Sequence, residues 1–401
     1  MSMFSLILGP RATMTRARLA ASGRRAAKQT DRGATMALPQ PRPGVMSIPL
    51  YDAGKSSITG TARVMKLSSN EAALGPSPQA IAAYGPLADS LYRYPLGDSA
   101  ELREAIAEVH GLEAGRIICG AGSDEMFSLL CRAYVGVGDA VLHTVHAFAI
   151  FAIYAKSVGA TPIAVAEKNL TADVDAILAA VTPDTKLVFL ANPNNPTGTY
   201  LPGAEIARLR QGLREDVILV LDGAYAEFVD APDFDGGFEL ARTTPNTVVT
   251  RTFSKIYGLA AVRLGWAYGP KEIIGAMERL RAPFNVTRAA QVAGIAAVRD
   301  QDHIAKAKAH NTKWKQIALQ RLRGLGLKVA DSAGNFILPE FPATPGRTAA
   351  DADVFLQSRG LIVRRVDGYG LPNHLRITIG NEEEMTALLD ALAAFMENRH
   401  G

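Results

Sequence analysis

Between residues 140 and 267 short apolar runs recur between stretches of helical spacing, and this alternation constrains the fold more than any other feature of the chain. The runs fall near 140–145, 163–165, 187–190, 218–221, 248–251 and 264–267. Most are apolar throughout rather than at every second residue, as expected of strands covered on both faces. Strands alternating with amphipathic helices predict an α/β fold, a mostly parallel sheet sandwiched by helices. Open sheets of this kind collect ligands at the carboxyl ends of their strands. Phe148, Asn195, Asp222 with Tyr225, and Lys255 all follow such ends, so they are the first candidates for a site.

The flanks read differently. Past Pro283 a long helical region rich in Ala, Lys and Arg is expected over about 289–325. Short strands near 335–338, 361–365 and 375–379 follow, then a closing helix from Glu382, which together predict a smaller α+β domain. Before the alternating region, Pro76 and Pro78 mark a loop that enters a helix near Gln79, and Leu102, Ile106 and Val109 give a helix over 99–110 stopped by Gly111. The expected organisation is a basic tail and Pro-rich linker over 1–45 and an arm over 46–75 that joins the small domain and the substrate site. A large domain over 76–285 and a small one over 286–401 complete it.

A net charge of +4 and a pI near 9.0 would suit a nucleic-acid binder, but the charge is concentrated at one end. Up to residue 35 there are seven bases, Arg11, Arg16, Arg18, Arg24, Arg25, Lys28 and Arg32, against Asp31 alone, so the remaining body is slightly acidic. A nucleic-acid groove is therefore not expected. The tail itself reads as an overextended start, with Met36 or Met46 as the true one, or as a disordered arm; it lacks the apolar segment of an export signal. No run approaches the ~20 apolar residues of a membrane span. Two cysteines, Cys119 and Cys131, are too few for a disulfide framework, and the seven histidines show no ligand spacing, so a cytoplasmic protein without a metal is expected.

The most chemically loaded stretch is Arg251-Thr252-Phe253-Ser254-Lys255-Ile256-Tyr257-Gly258-Leu259, continuing to Arg263. A lysine held at a strand end among other cations loses the advantage of its charged form, and a neutral amine can attack a carbonyl to form a Schiff base. Ser254 and Arg263 beside it suit a phosphate. Upstream, a short strand near 116–119 runs into Gly120-Ala121-Gly122-Ser123-Asp124-Glu125, with a helix expected from Met126. Small residues at such a turn leave backbone N–H groups free for an anion, although the same string also reads as a helix cap. Pyridoxal 5'-phosphate, an aldehyde that carries a phosphate, meets both requirements.

Asn192-Pro193-Asn194-Asn195-Pro196-Thr197-Gly198, Asp222-Gly223-Ala224-Tyr225 and Ser254-Lys255 with Arg263 occur in this order. The set resembles the aminotransferases of fold type I. Asn70-Glu71, Gly75-Pro76-Ser77-Pro78, Tyr92-Arg93-Tyr94-Pro95 and Gly122-Ser123-Asp124-Glu125 narrow the resemblance to the histidinol-phosphate aminotransferases, from about Met46 to the end. The resemblance implies pyridoxal 5'-phosphate bound covalently to Lys255, which also carries the proton between substrate and cofactor. It implies Asp222 at the ring nitrogen, Tyr225 and Asn195 at the ring oxygen, and Phe148 stacked on the ring. Ser123, Asp124, Ser254 and Arg263 are implied at the phosphate, joined by Tyr94 from a neighbouring subunit, hence a homodimer. Tyr51, Arg364 and Arg376 are implied to take the acidic groups of histidinol phosphate and of glutamate or 2-oxoglutarate. Two positions depart from the family pattern. Gly223 stands where many relatives carry Glu, and His146-Ala147-Phe148 replaces a proline-led aromatic sequence. Aromatic aminotransferases and threonine-phosphate decarboxylases resemble the same set, so these activities are the alternatives.

Overall fold

The structure, a computed structural model, describes residues 39–42, 44–51, 54–58 and 63–397. The basic tail up to residue 38 lies outside the described residues. In chain order the first part holds β1 (Met65–Lys66), α1 (Pro78–Tyr84), α2 (Ala100–His110), β2 (Ile117–Gly120), α3 (Ser123–Tyr134), β3 (Ala140–Thr144), α4 (Ile150–Ser157) and β4 (Thr161–Val165). There follow the ribbon β5 (Glu167–Lys168) and β6 (Thr171–Ala172), then α5 (Val174–Ala179), β7 (Thr185–Ala191), α6 (Gly203–Gly212), β8 (Ile218–Asp222), α7 (Phe238–Thr243), β9 (Thr247–Thr252), β10 (Gly265–Tyr268) and α8 (Lys271–Leu280).

Seven of these strands form one sheet in the order β2-β10-β9-β8-β7-β3-β4. Its central pairings, β9 to β8, β8 to β7, β7 to β3 and β3 to β4, are parallel, whereas β10 runs antiparallel to both its neighbours. The core explains why the strands read as apolar throughout. Along β8, Leu219 and Leu221 pack into a cluster with residues of α2 and of a later helix, Arg288–Arg299, while Ile218 and Val220 pack into a second cluster with α3 and α8 residues. Each face of the sheet thus has its own apolar cover, and the polar residue that ends β8, Asp222, is still buried.

The remainder comprises α9 (Arg288–Arg299), α10 (Gln301–Gly324), β11 (Lys328–Val329), β12 (Phe336–Ile337), β13 (Pro339–Glu340), α11 (Ala349–Ser358), β14 (Leu361–Ile362), β15 (Arg364–Arg365), β16 (Leu375–Thr378) and α12 (Glu382–Glu397). A separate apolar cluster from α10, α11, α12 and these strands takes in Leu67 from the segment after β1. β1 itself pairs in parallel with β14, so the arm before the large sheet is built into the C-terminal part.

Two expectations are corrected. The helical region expected over 289–325 is two helices. Asp300 leaves helical geometry (φ −80°, ψ 69°) and its carboxylate accepts from His303 N at 3.2 Å, so one residue stops α9 and caps α10. The helix expected from Met126 begins at Ser123, which places the backbone N–H groups of Ser123 and Asp124 in its first turn. Elsewhere local chemistry works as the residue types require: Ser77 Oγ accepts from Ala80 N with Pro78 in the first turn of α1, and Thr348 with Asp351 forms a reciprocal capping box on α11.

Candidate active site

The ends of β7, β8 and β9 open onto a cavity of about 300 Å3, lined also by the segment after β1 and by residues of β15 and β16. Lys255 reaches it three residues beyond the end of β9. Its Nζ donates to Ser69 O at 3.1 Å and lies 5.7 Å from the centre of the Tyr225 ring. Loss of hydration, then the nearby Arg376 cation, lowers the Lys255 pKa to about 8. At neutral pH an appreciable fraction of this amine is uncharged.

Asp222 closes β8. Its Oδ1 accepts from Thr250 Oγ1 at 3.3 Å and from Ala224 N at 3.2 Å. Burial, with the Asp124 carboxylate next in effect, raises its pKa to about 6. The carboxylate is therefore ionised at neutral pH but held at a cost in solvation. Tyr225 is buried beside it, and its hydroxyl oxygen accepts from Asn70 Nδ2 at 2.8 Å, which leaves the O–H to donate elsewhere.

At the other end of the cavity the first turn of α3 meets Arg263. The guanidinium donates to Ser254 Oγ and to Asp124 Oδ2, both at 3.3 Å. Two glycines make this possible. A Cβ on Gly122 would fall 2.5 Å from Arg263 Nη2, and one on Gly265 would fall 2.2 Å from Ser123 N. Their absence leaves a cradle of helix N–H groups, one hydroxyl and one guanidinium, which is an anion site by construction. The Asp124 carboxylate is engaged by Arg263, so what that residue can offer an anion is its backbone N–H.

The arginines of the C-terminal part face each other across two strands. Arg364 of β15 is the register partner of Arg376 of β16, and both line the cavity. Arg376 is buried and donates from Nη1 to Asn195 Oδ1 and from Nη2 to Ser68 O. Asn195 therefore presents its amide N–H2 rather than its oxygen to the cavity. Phe148 lines the wall, edge-on to Tyr51 with ring centres 6.4 Å apart. The turn that carries Phe148 is held without a proline: Glu167 accepts from His146 N at 3.3 Å, its other oxygen lies 2.9 Å from His146 Nδ1, and Asn194 Nδ2 donates to His146 O.

Of the residues expected from sequence, Tyr51, Ser123, Asp124, Phe148, Asn195, Asp222, Tyr225, Ser254, Lys255, Arg263, Arg364 and Arg376 all line this cavity. Tyr94 does not. It is 82% exposed and stacks on Phe284 at 4.6 Å, with Leu91 and Tyr92 exposed nearby. Residue-by-residue reading missed Asn70 as a hub. Besides bonding Tyr225 it receives Asn335 Nδ2 on its carbonyl and donates its N–H to Thr378 Oγ1, all from a left-handed backbone (φ 55°) that asparagine tolerates. Also unassigned were Tyr369 and the pair Lys66–Glu71, 2.8 Å apart at the cavity edge. The string Asn70-Glu71 stands out in the sequence, but nothing local tells that the partners of Asn70 lie more than 150 residues away.

Residues 62–392 match the family model described as aminotransferase class I and II. The chain is 53% identical over 359 residues to the histidinol-phosphate aminotransferase of Rhodospirillum rubrum, covering 90% of this chain and 97% of that protein. To the enzyme of the same name from Dinoroseobacter shibae it is 54% identical over 355 residues, 88% of this chain and 97% of that one. Among solved structures, the histidinol-phosphate aminotransferase of Sinorhizobium meliloti in complex with pyridoxal-5'-phosphate superposes with a TM-score of 0.83 at 26% identity, covering 90% of this chain and 98% of that chain. Sheet order, cavity and family match agree, and the chain belongs to the class I and II aminotransferases.

Proposed function

We propose that the protein transfers the amino group of L-histidinol phosphate to 2-oxoglutarate, giving imidazole acetol phosphate and L-glutamate in histidine biosynthesis, with pyridoxal 5'-phosphate as cofactor. The observation that carries this reading is a single cavity in which a lysine of lowered pKa, a buried carboxylate, a glycine-lined anion cradle and two facing arginines meet. The donor set fits the cofactor: an amine for its aldehyde, an acid for its ring nitrogen, and N–H and guanidinium donors for its phosphate. When bound, the cofactor supplies an electron sink for the pair released at the substrate α-carbon.

The chain's own residues do the rest. Lys255, neutral in part at pH 7, would be the amine that holds the cofactor and the base that takes the proton from the substrate α-carbon and delivers it to cofactor C4′. Asp222 keeps a proton on the ring nitrogen. Tyr225 O–H and the Asn195 amide donate to the ring oxygen, and Phe148 covers one face of the ring. Ser123 N–H, Asp124 N–H, Ser254 and Arg263 bind the phosphate. We assign Tyr94 to the phosphate site of a second copy, hence a homodimer, supported by its exposure together with that of Leu91 and Tyr92. We also divide the chain into an arm over 46–75, a large domain over 76–285 and a small one over 286–401; the separate apolar cluster of α10, α11 and α12, which takes in Leu67 of the arm, supports the small domain, while α9 packs into the cluster of the large one. A cytoplasmic location is our assignment, consistent with two free buried cysteines.

Substrate choice falls to Tyr51, Arg364 and Arg376. Glutamate presents a carboxylate on its α-carbon, whereas histidinol phosphate has none there and presents a phosphate instead, so one site must take both anions. A guanidinium does so through paired N–H bonds that a lysine cannot reproduce. Arg376→Lys is expected to weaken both half-reactions by roughly ten- to a hundredfold, the worth of a charge-assisted hydrogen bond. Arg364→Ala is expected to harm the phosphorylated substrate more than glutamate, because the dianion needs the second cation; single-turnover absorbance with each substrate measures it. The function itself is tested by incubating the purified protein with histidinol phosphate and 2-oxoglutarate and measuring glutamate. Release of carbon dioxide from a phosphorylated amino acid, or aromatic amino acids as the only donors, would overturn the assignment in favour of a lyase or an aromatic aminotransferase.

A further inference from the structure

Behind the ends of β8 and β9, on residues that none of the roles above uses, lies a buried ion pair. Arg251, on β9, has a side chain only 3% exposed, and its Nε is 3.6 Å from Glu227 in the 3-10 turn Ala226–Phe228. Its Nη1 donates to Thr250 O at 3.0 Å, its Nη2 donates to Gly236 O at 2.8 Å, and the guanidinium carbon sits 4.5 Å from the centre of the Phe238 ring. The position exists because residue 223 has no side chain: a Cβ there would fall 1.7 Å from Arg251 Nη1. Gly223 N also donates to Thr250 O at 3.0 Å, so one peptide carbonyl accepts from both. The same threonine holds Asp222 through its hydroxyl.

We propose that Arg251 is a positioning residue for Asp222: it clamps the Thr250 peptide, whose hydroxyl orients the Asp222 carboxylate, and supplies a fixed positive charge behind that carboxylate, with Glu227 as counter-ion. The inference rests on the function proposed above, in which Asp222 meets the cofactor nitrogen. The surroundings favour an effect on charge and not on packing alone. Arg251 is faced by Glu227, Tyr257, Asp222 and Asp235, and by His110 of α2, which burial and Arg251 keep neutral with a pKa of about 4. Asp222 is faced by Asp124 as well as by Arg251, so the guanidinium opposes the one carboxylate that discourages ionisation of the other. Glu227 has Lys308 as a further cation, and burial raises its pKa. Neither Glu227 oxygen has a hydrogen-bond partner among the described residues, and its contact with Arg251 is an ion pair at 3.6 Å.

The test is the pH dependence of pyridoxal phosphate affinity, read by visible absorbance as cofactor is returned to the cofactor-free protein. The acid limb of that affinity reports ionisation of Asp222. In Arg251→Met, loss of the cation raises the Asp222 pKa, and the limb moves to higher pH by about one unit, a tenfold loss of affinity on the acid side. In Glu227→Gln, loss of the competing negative charge moves the limb the opposite way, and Arg251→Lys, which keeps the charge, stays near the unmodified protein. A purely structural strut would lower thermal stability in all three and move no limb. If Arg251→Met fails to fold, a limb moved to lower pH in Glu227→Gln beside an unmoved one in Arg251→Lys still decides. Cofactor binding with unmoved limbs in folded Arg251→Met and Glu227→Gln overturns this inference alone. Unmodified protein that takes up no cofactor at any pH overturns the function, and this inference with it.

Discussion

Lys255→Ala is expected to take up pyridoxal phosphate without a covalent link and to lose transamination by roughly 10² to 10⁴-fold, the worth of a positioned proton carrier. Unmodified protein should be yellow, and borohydride should abolish its visible band by fixing the cofactor on Lys255, whereas the variant should release its cofactor on dialysis. The lowered pKa adds a thermodynamic signature. A lysine that titrates at about 8 when folded and at its ordinary 10.5 when unfolded leaves the unfolded state with more bound protons between those values. Stability of the cofactor-free protein therefore gains a term that grows as pH rises through that window. Lys255→Ala should lack the term. Denaturant unfolding of both proteins at several pH values measures it, and identical pH profiles would refute the placement of an uncharged amine in the cavity.

Asp222→Asn is expected to keep the fold and lose two to four decades in rate. Breaking a buried ion pair by removing one partner costs about 3 to 5 kcal/mol, and each ~1.4 kcal/mol lost from the transition state is a decade. The direction for stability is opposite. Asp222 titrates at about 6 folded against 3.8 ordinarily, so the native state binds more protons across that window and loses stability as pH rises through it. At pH 7 the cofactor-free protein thus bears the cost of a buried charge, which an isosteric amide removes. Asp222→Asn should be more stable without cofactor, by up to about 3 kcal/mol. Thr250 Oγ1 and Ala224 N can still donate to the amide oxygen. A variant that is both active and no more stable would show that the carboxylate neither serves the ring nor is strained by burial.

The two effects share a cause. Lys255 is discouraged from holding a proton, and Asp222 is discouraged from losing one, by the same loss of water, which is what the roles proposed for them on a bound cofactor require. The site is thus built from groups that the empty protein would be more stable without. It can persist because the two apolar clusters flanking the sheet hold β8 and β9 in place whatever their ends carry.

The sequence by itself determined the sheet, because a strand covered on both faces must be apolar along its covered length, and residues 218–221 and 187–191 are so in any context. It determined most of the site as well. Lys255, Ser254, Asp222, Tyr225 and Asn195 follow strand ends directly, so their place was set once the strands were read. Only the tertiary structure decided where the C-terminal part joins. Arg364 faces Arg376 through a two-residue antiparallel register, and β1 joins β14 nearly 300 residues later, pairings that strands this short do not specify by pattern. It alone decided that Asn70 binds Tyr225, that Glu167 holds the Phe148 turn through His146, and that Gly223 admits the guanidinium of Arg251. Each of these is a contact between segments whose separation is fixed by topology. Hydrophobic period and turn chemistry are local signals, whereas a polar contact across the fold depends on the register and twist of every element between its partners.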